Sequence, residues 1–376
     1  MNYGATLHGW AFQQVLRHLG CESVVIDYIP KSLTNYHFKW PVLEALRSWR
    51  HPIMLVRRVA QWMVSTLANL RKWRKFQDFK RTRLVCTPRT YNMKSLTGAA
   101  SIVGCESVEV FVCEADVIWK RSVIHGFDPG FYLDFPASAR KRKVAYAPSV
   151  GKDPFPSAEQ RKFIEYIKRF DAVSSRERSG AEYIGSMIGR EVPYLPDPTL
   201  LLDASDYAAI AKPPSEKGYV LLYASMRANV NMIREAKRYA KRLGKRLVEV
   251  SNFGINRFIF GHKVIDDAGV EEWLGLFMNA DVIICNAFHG ICFSLIFHKP
   301  FFAFRRSEDD WRFTGICTEF GLTDRLMEAD GRIPKEVKEI DFAEVGRLRA
   351  IDAERARRFI CENIVRYAKG ASDGWV

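Results

Sequence analysis

Residues 219–251 read "YVLLYASMRANVNMIREAKRYAKRLGKRLVEVS", and this stretch decides the fold. Residues 219–225 form an almost wholly apolar run of strand length. Residues 229–243 repeat their apolar positions at helical spacing, with Gly244 behind them, and residues 247–251 form a second apolar run. The alternation continues with a helix over 270–280, "VEEWLGLFMNA", which feeds the run "DVIICN" at 281–286. Strands that are apolar on both faces and separated by helices predict a parallel sheet covered on both sides.

Downstream, "DVIICNAFHGICFSLIFHKPFFAF" (281–304) places Asn286, His289 and Gly290 in a turn between a buried strand and a short buried helix. Lys299-Pro300 ends that helix before a further strand at 301–304. The backbone N–H groups of a helix start suit phosphate; on spacing alone, a structural histidine fits equally well.

Upstream, helical periodicity over 5–19 ends at Gly20, and "SVVIDY" reads as a strand stopped by Pro30. Strand-like runs follow at 108–113, 143–147 and 172–175, with helices expected over 158–170 and 179–189. "AKPPSEKG" (211–218) has linker composition. The expected architecture is α/β with two Rossmann-like lobes facing a cleft that holds the site. Residues 1–210 form the N-terminal lobe, with a basic helical insertion over 31–93. Residues 211–340 form the second lobe, and 341–376 a C-terminal helix and tail.

Hydrophobic content of 48% with 27% charged residues suits a globular protein. The 57 Lys and Arg against 43 Asp and Glu, net +14, favour an anionic partner. The eight cysteines contain no C-x-x-C pair and lie largely in apolar runs, so buried reduced thiols are expected and no metal site. The chain opens on "MNYGATLHGWAF" without signal-peptide character, which predicts a cytoplasmic location. No G-x-G-x-x-G or Walker A sequence supports dinucleotide or P-loop chemistry.

Six short stretches fall at strand-to-loop junctions. They are "NYGATL" (2–7), "CEADVIW" (113–119), "YAPSVG" (146–151), "SSRERSG" (174–180), "PDPTLLL" (196–202) and "NAFHG" (286–290). In this order and spacing the chain resembles the polysaccharide pyruvyl transferase family, from Asn2 to about Met327. The resemblance implies a GT-B-like fold and transfer of a pyruvate ketal from phosphoenolpyruvate to a sugar of a bacterial surface polysaccharide or its lipid-linked precursor. Phosphoenolpyruvate is then a co-substrate and no resident cofactor is expected.

On that resemblance His289 is the general acid or base, and Asp116 orients a sugar hydroxyl. Arg176 offers its fork to the donor phosphate; the alternative is a pairing with Glu177. Asn286, Gly290, Lys299, Arg305 and Arg312 join the donor site, although Lys299 and Arg312 also read as surface cations. Asn2, Tyr3, Gly4, Tyr146, Ser149 and Asp197 line the acceptor side, with Asp197 equally a turn residue between two prolines.

The chain departs from the family in three places. Glu114-Ala115-Asp116-Val117 stands where the family usually carries glycine-serine-aspartate-glutamine. Ala287 stands where some relatives have arginine, which shifts part of the phosphate grip to Arg305 or Arg306. Met1 directly precedes the Asn2–Gly4 loop, where relatives have a first strand. A GT-B glycosyltransferase using a nucleotide sugar and a non-catalytic sugar-binding relative are the alternative functions.

Between Arg47 and Arg83 there are eleven basic residues and one acid, Asp78, interleaved with Trp49, Trp62 and Trp73. Arg57-Arg58 interrupts the apolar stretch and argues against a transmembrane helix. The composition fits an interfacial helix on an anionic membrane surface, or a basic helical excursion packed on the N-terminal lobe. No nucleic-acid-binding module accompanies it.

Overall fold

The computed structural model describes residues 1–30, 52–120, 126–151, 155–224, 228–306 and 311–368. Side chains of 52–65 and of 158 are outside that description, as are the expected insertion residues 31–51, among them Arg47 and Trp49, and the tail after 368. The described residues divide into two compact units. One comprises the described parts of Leu7–His37, Arg83–Leu202 and Arg347–Val376. The other comprises those of Met1–Thr6, Phe38–Thr82 and Asp203–Gly346.

Helix α1 (Tyr3–His18) starts two residues before the expected position, with Asn2 Oδ1 accepting from Ala5 N at 3.4 Å. Tyr3 and Gly4 therefore belong to its first turn and not to a preceding loop. Its stripe of Leu7, Ala11 and Val15 is buried, and Gly20, at φ 67°, turns the chain away. Helix α2 (Pro52–Arg83) lies within the basic insertion.

In the first unit, β1 (Tyr28–Ile29) pairs in parallel with β2 (Tyr91–Asn92). Of the expected "SVVIDY" strand only Tyr28 is in β1, with one isolated bridge at Val25. Strands β3 (Val110–Glu114), β4 (Arg142–Tyr146) and β5 (Ala172–Val173) form a parallel three-stranded sheet in that order. Helices α3 (Ser157–Ile167) and α4 (Arg178–Ile188) follow β4 and β5. An aromatic core fills this unit: Trp119 is fully buried, stacked on Tyr132 at 5.6 Å and edge-on to Phe163 at 5.9 Å. Each such ring contributes about 1.5–3 kcal/mol by burial.

The second unit holds a fully parallel six-stranded sheet. Its strands are β6 (Tyr219–Tyr223), β7 (Leu247–Val250), β8 (Lys263–Ile265), β9 (Ala280–Cys285), β10 (Phe301–Phe304) and β11 (Leu326–Met327). They run in the order β11-β10-β9-β6-β7-β8. Central β6 and β9 carry the apolar runs from which the sheet was expected. Helix α5 (Val230–Arg242) is capped by Asn229, whose Oδ1 accepts from Met232 N at 2.6 Å. Helices α6 (Val270–Asn279), α7 (Phe288–Ile296) and α8 (Trp311–Glu319) complete the alternation.

Three boundaries differ from expectation. First, the chain returns to the second unit at Asp203, not at the proline-rich 211–218. Tyr207 is fully buried with its ring 4.9 Å from Phe293, and Lys212 N donates to Glu271 O at 2.8 Å, so this stretch packs against α6 and α7. Second, α2 clusters with the second unit and not with the N-terminal lobe. Arg71 pairs with Asp267 at 2.8 Å and Lys75 with Glu272 at 2.7 Å, while Ala68, Lys72, Phe76 and Phe79 form its buried stripe. Third, helix α9 (Phe342–Ile360) is shared between units: from Arg347 it belongs to the first, where Arg349 donates to Leu202 O at 2.8 Å.

Six of the eight cysteines are buried, Cys86 is half-buried and Cys361 is exposed. No helix among the described residues is long and apolar enough to cross a membrane.

Candidate active site

Parallel α/β sheets present their loops at the carboxyl edge, where ligands bind. On the six-stranded sheet, that edge carries Asn286 after β9 and Arg305 after β10. The sequence places His289 in the turn before the helix, but α7 already starts at Phe288, so His289 lies in its first turn. No side chain caps this helix: the N-cap residue is Ala287. Within this first turn, Gly290 N donates to Ala287 O at 2.9 Å, and the positive end of the helix dipole lies beside His289.

Two glycines make this arrangement sterically feasible. A Cβ on Gly4 would lie 2.0 Å from His289 Nδ1, so only glycine lets α1 approach the imidazole. A Cβ on Gly290 would lie 2.7 Å from Cys285 Cβ and Sγ, so glycine permits the tight return from β9 into α7. His289 is buried, at 8% exposure, with its ring edge-on to Phe288 at 5.4 Å. Asn286 Oδ1 and Arg305 Nε are both buried with no hydrogen-bond partner among the described residues. Unsatisfied polar groups of this kind call for an explanation such as a ligand. The other Arg305 nitrogens reach Glu328 at 3.0 Å and Thr314 Oγ1 at 3.1 Å.

Other expected donor residues are distributed differently. Arg312 stands in the first turn of α8, beyond the carboxyl end of β10. Lys299 lies between the C-terminal end of α7 and the start of β10, so the parallel sheet puts it at the edge opposite His289. Burial lowers its pKa, opposed by Asp281. Tyr3 is a core residue: it stacks on Trp273 at 5.3 Å and donates to Ala268 O at 2.8 Å. Asn2 is exposed and serves as the N-cap of α1.

The carboxyl edge of the three-stranded sheet holds a second, more charged group. Arg176 follows β5, with 1% of its side chain exposed, and Nη1 donates to Asp197 at 2.8 Å while Nε donates to Glu177 at 3.2 Å. Burial opposes its charge, but Glu177, Asp197 and Asp116 more than offset this, so the guanidinium holds its proton more firmly than usual. The expected open fork for phosphate is thus occupied by two carboxylates. Asp197 also accepts from Thr199 N at 3.1 Å and Thr199 Oγ1 at 2.8 Å, capping the 3₁₀ turn Pro198–Leu201.

Asp116 lies just past β3 with φ 49°, after Ala115 at φ 44°; both are in the left-handed region, which is costly without glycine. Its carbonyl accepts from Ser149 N at 2.8 Å, and Oδ1 accepts from Val117 N at 2.8 Å. Ser149 and Tyr146 are fully buried and brace this loop from within, with Tyr146 OH donating to Pro196 O at 3.0 Å.

One member of the group was not anticipated. His8, on α1, places Nδ1 2.7 Å and 2.9 Å from the two oxygens of Glu114 and Nε2 3.9 Å from Asp116 Oδ2. The detectable signal was Glu114 itself, an acid at the end of an apolar strand that needs a cation. Burial disfavours the charged imidazole, but Glu114, Asp116 and Asp197 outweigh it and raise the pKa to about 9. Among the described residues, no three His, Cys, Asp or Glu side chains are arranged to hold a metal ion.

Comparison with known proteins follows from this geometry. Residues 2–308 match the family model for polysaccharide pyruvyl transferase. No curated protein sequence matches the chain. Similar solved structures include the wall teichoic acid polymerase TagF, at 12% identity over 80% of this chain and 82% of that one, TM-score 0.36. A UDP-N-acetylglucosamine 2-epimerase homologue from Listeria monocytogenes is 11% identical over 78% of this chain and 81% of that one, TM-score 0.43. The S. aureus MnaA–UDP structure is 12% identical over 98% of this chain and 90% of that one, TM-score 0.41. With the family model spanning all six junction motifs, the chain belongs to the polysaccharide pyruvyl transferase family.

Proposed function

We propose that this protein transfers the pyruvyl group of phosphoenolpyruvate to two hydroxyls of a saccharide as a ketal. The single observation that carries the reading is His289: a buried imidazole in the first turn of an uncapped helix, with Gly4 packed on its ring. The uncapped α7 N-terminus and Arg305 favour the donor's phosphate, and Asn286 can hydrogen-bond it. His289 delivers a proton to the enol methylene carbon, which leaves cation-like character at C2 for attack by one sugar hydroxyl. Phosphate departs at the helix N-terminus, and the second hydroxyl closes the ketal. Of the two hydroxyl protons released, one balances the new methyl group and the other leaves with phosphate.

Arg176 serves this scheme as a structural cation that holds Asp197 and Glu177, leaving donor binding to the His289 group. The acceptor is lipid-linked in this reading, and α2 provides a surface for it: Leu67, Leu70 and Trp73 are exposed on the helix beside Arg74. That surface supports docking on the cytoplasmic face of an anionic membrane.

The test is ligand-dependent thermal stability. Phosphoenolpyruvate should raise Tm, by about 2.7 kcal/mol of stabilisation at a hundredfold excess over Kd, and nucleotide sugars should not. Stabilisation by a nucleotide sugar alone would move the assignment to glycosyl transfer.

A further inference from the structure

Glu114 is an acid at the end of the largely apolar strand β3, and the structure accounts for it through His8. Both ring nitrogens of His8 face carboxylates: Nδ1 meets both oxygens of Glu114, and Nε2 faces Asp116 Oδ2 at 3.9 Å. The Nδ1 contacts are hydrogen bonds, whereas Nε2 meets Asp116 at ion-pair distance, an attraction that requires the imidazolium form. Asp116 is fixed on its other side by backbone, since Oδ1 accepts from Val117 N and its carbonyl accepts from Ser149 N. Oδ2 is therefore the oxygen directed at His8, on a side chain that is 29% exposed.

We propose that His8, an imidazolium clamped by Glu114, is a positioning residue for the acceptor: it fixes Asp116 so that a sugar hydroxyl donates its hydrogen to Asp116 Oδ2. This role rests on the pyruvyl-transfer reading above and narrows its acceptor. The group contains four carboxylates, Glu114, Asp116, Glu177 and Asp197, against two cations, His8 and Arg176. A neutral or amino-bearing sugar suits that balance, and one with a carboxylate beside its reacting hydroxyls does not.

His8 is faced by Glu114 and Asp116 at the end of β3 and by Asp197 from the loop before the 3₁₀ turn. Its pKa of about 9 lies above the ordinary 6.5. The stabilising charge is thus fully present below about pH 6.5 and is lost as pH rises through about 9. The acceptor-dependent rate should fall over the same alkaline window.

The experiment combines NMR titration of the histidine rings with steady-state kinetics on neutral glycosides, free and lipid-linked, and their uronic counterparts. His8 should titrate near pH 9, and Glu114→Gln should lower that value by about one unit or more. His8→Gln should lower kcat/KM for the acceptor by about 10–100-fold, leave the KM for phosphoenolpyruvate unchanged and remove the alkaline limb. Neutral glycosides should outrun uronic ones. A His8 titrating near 6.5, or a His8→Gln protein with lowered Tm and wild-type kinetics, overturns the proposal. Should His8→Gln fail to fold, Glu114→Gln decides: an alkaline limb that does not move to lower pH contradicts it. Wild-type protein that turns over phosphoenolpyruvate with none of these acceptors removes the functional reading itself. Ordinary His8 titration with intact turnover removes only this inference.

Discussion

The carboxyl edges of the two sheets solve different problems. Beside β3 and β5, charge is dense and answered within the protein: Arg176 is committed to Asp197 and Glu177, and His8 to Glu114. Beside β9 and β10, charge is sparse, the helix start is uncapped, and Asn286 Oδ1 and Arg305 Nε are left without partners among the described residues. Beside β3 and β5 the cations are already paired, and the carboxylates, in excess, suit hydroxyl donors better than an anion. Arg305 Nε is an unspent donor suited to an anion, whereas Asn286 Oδ1 can only accept a hydrogen bond.

The largest effect should come from His289→Asn. If this imidazole moves the proton, kcat should fall by about 10²–10⁴-fold while the fold and donor KM persist, as read by circular dichroism and steady-state kinetics. A loss of stability with unchanged turnover would return His289 to a purely structural role. The opposite signature is expected on the other edge. Arg176→Met leaves two buried carboxylates uncompensated, which costs about 3–5 kcal/mol in chemical denaturation. Donor KM in whatever folded protein remains should hold. A selective rise in donor KM without destabilisation would put Arg176 back on the phosphate.

The fold was legible where strands are long and apolar throughout. Tyr219–Tyr223 and Ala280–Cys285, buried on both faces, can only be central parallel strands, and they were read as such. Short edge strands escaped notice: Lys263–Ile265 and Leu326–Met327 expose too few residues to show a period. Unit membership was less legible still. Composition marked 211–218 as a linker, but Tyr207 buries itself against Phe293 well before it. The basic insertion carried no signal that Arg71 and Lys75 would find Asp267 and Glu272.

At the site, motif residues were recognised more readily than their partners. Arg176 and Asp197 were each singled out, yet their pairing across 21 residues depends on tertiary structure. His8 was hidden within an amphipathic helix, 106 residues from Glu114.

The smallest effect concerns α2. Lys72 is buried, with Nζ 2.8 Å from Asn252 Oδ1 and 4.3 Å from the centre of the Tyr3 ring, and burial lowers its pKa to about 7 despite Asp266 and Asp267. It belongs to the fold and not to a membrane surface. The exposed Trp73 and Arg74 are the residues to change. Trp73→Ser with Arg74→Ser should weaken binding to anionic vesicles by about 1 kcal/mol or more. The remaining binding should decline as salt rises. Equal binding to neutral vesicles would exclude an electrostatic surface.

The central claim is that phosphoenolpyruvate is the donor and that its pyruvyl group ends on a sugar. Phosphorus and proton NMR of one reaction mixture test it directly, with wild-type protein, phosphoenolpyruvate and the glycoside panel. The account predicts inorganic phosphate and a new ketal methyl signal appearing in equal amounts, both suppressed by His289→Asn. Phosphoenolpyruvate left intact while a nucleotide sugar is consumed with the same acceptors would contradict it.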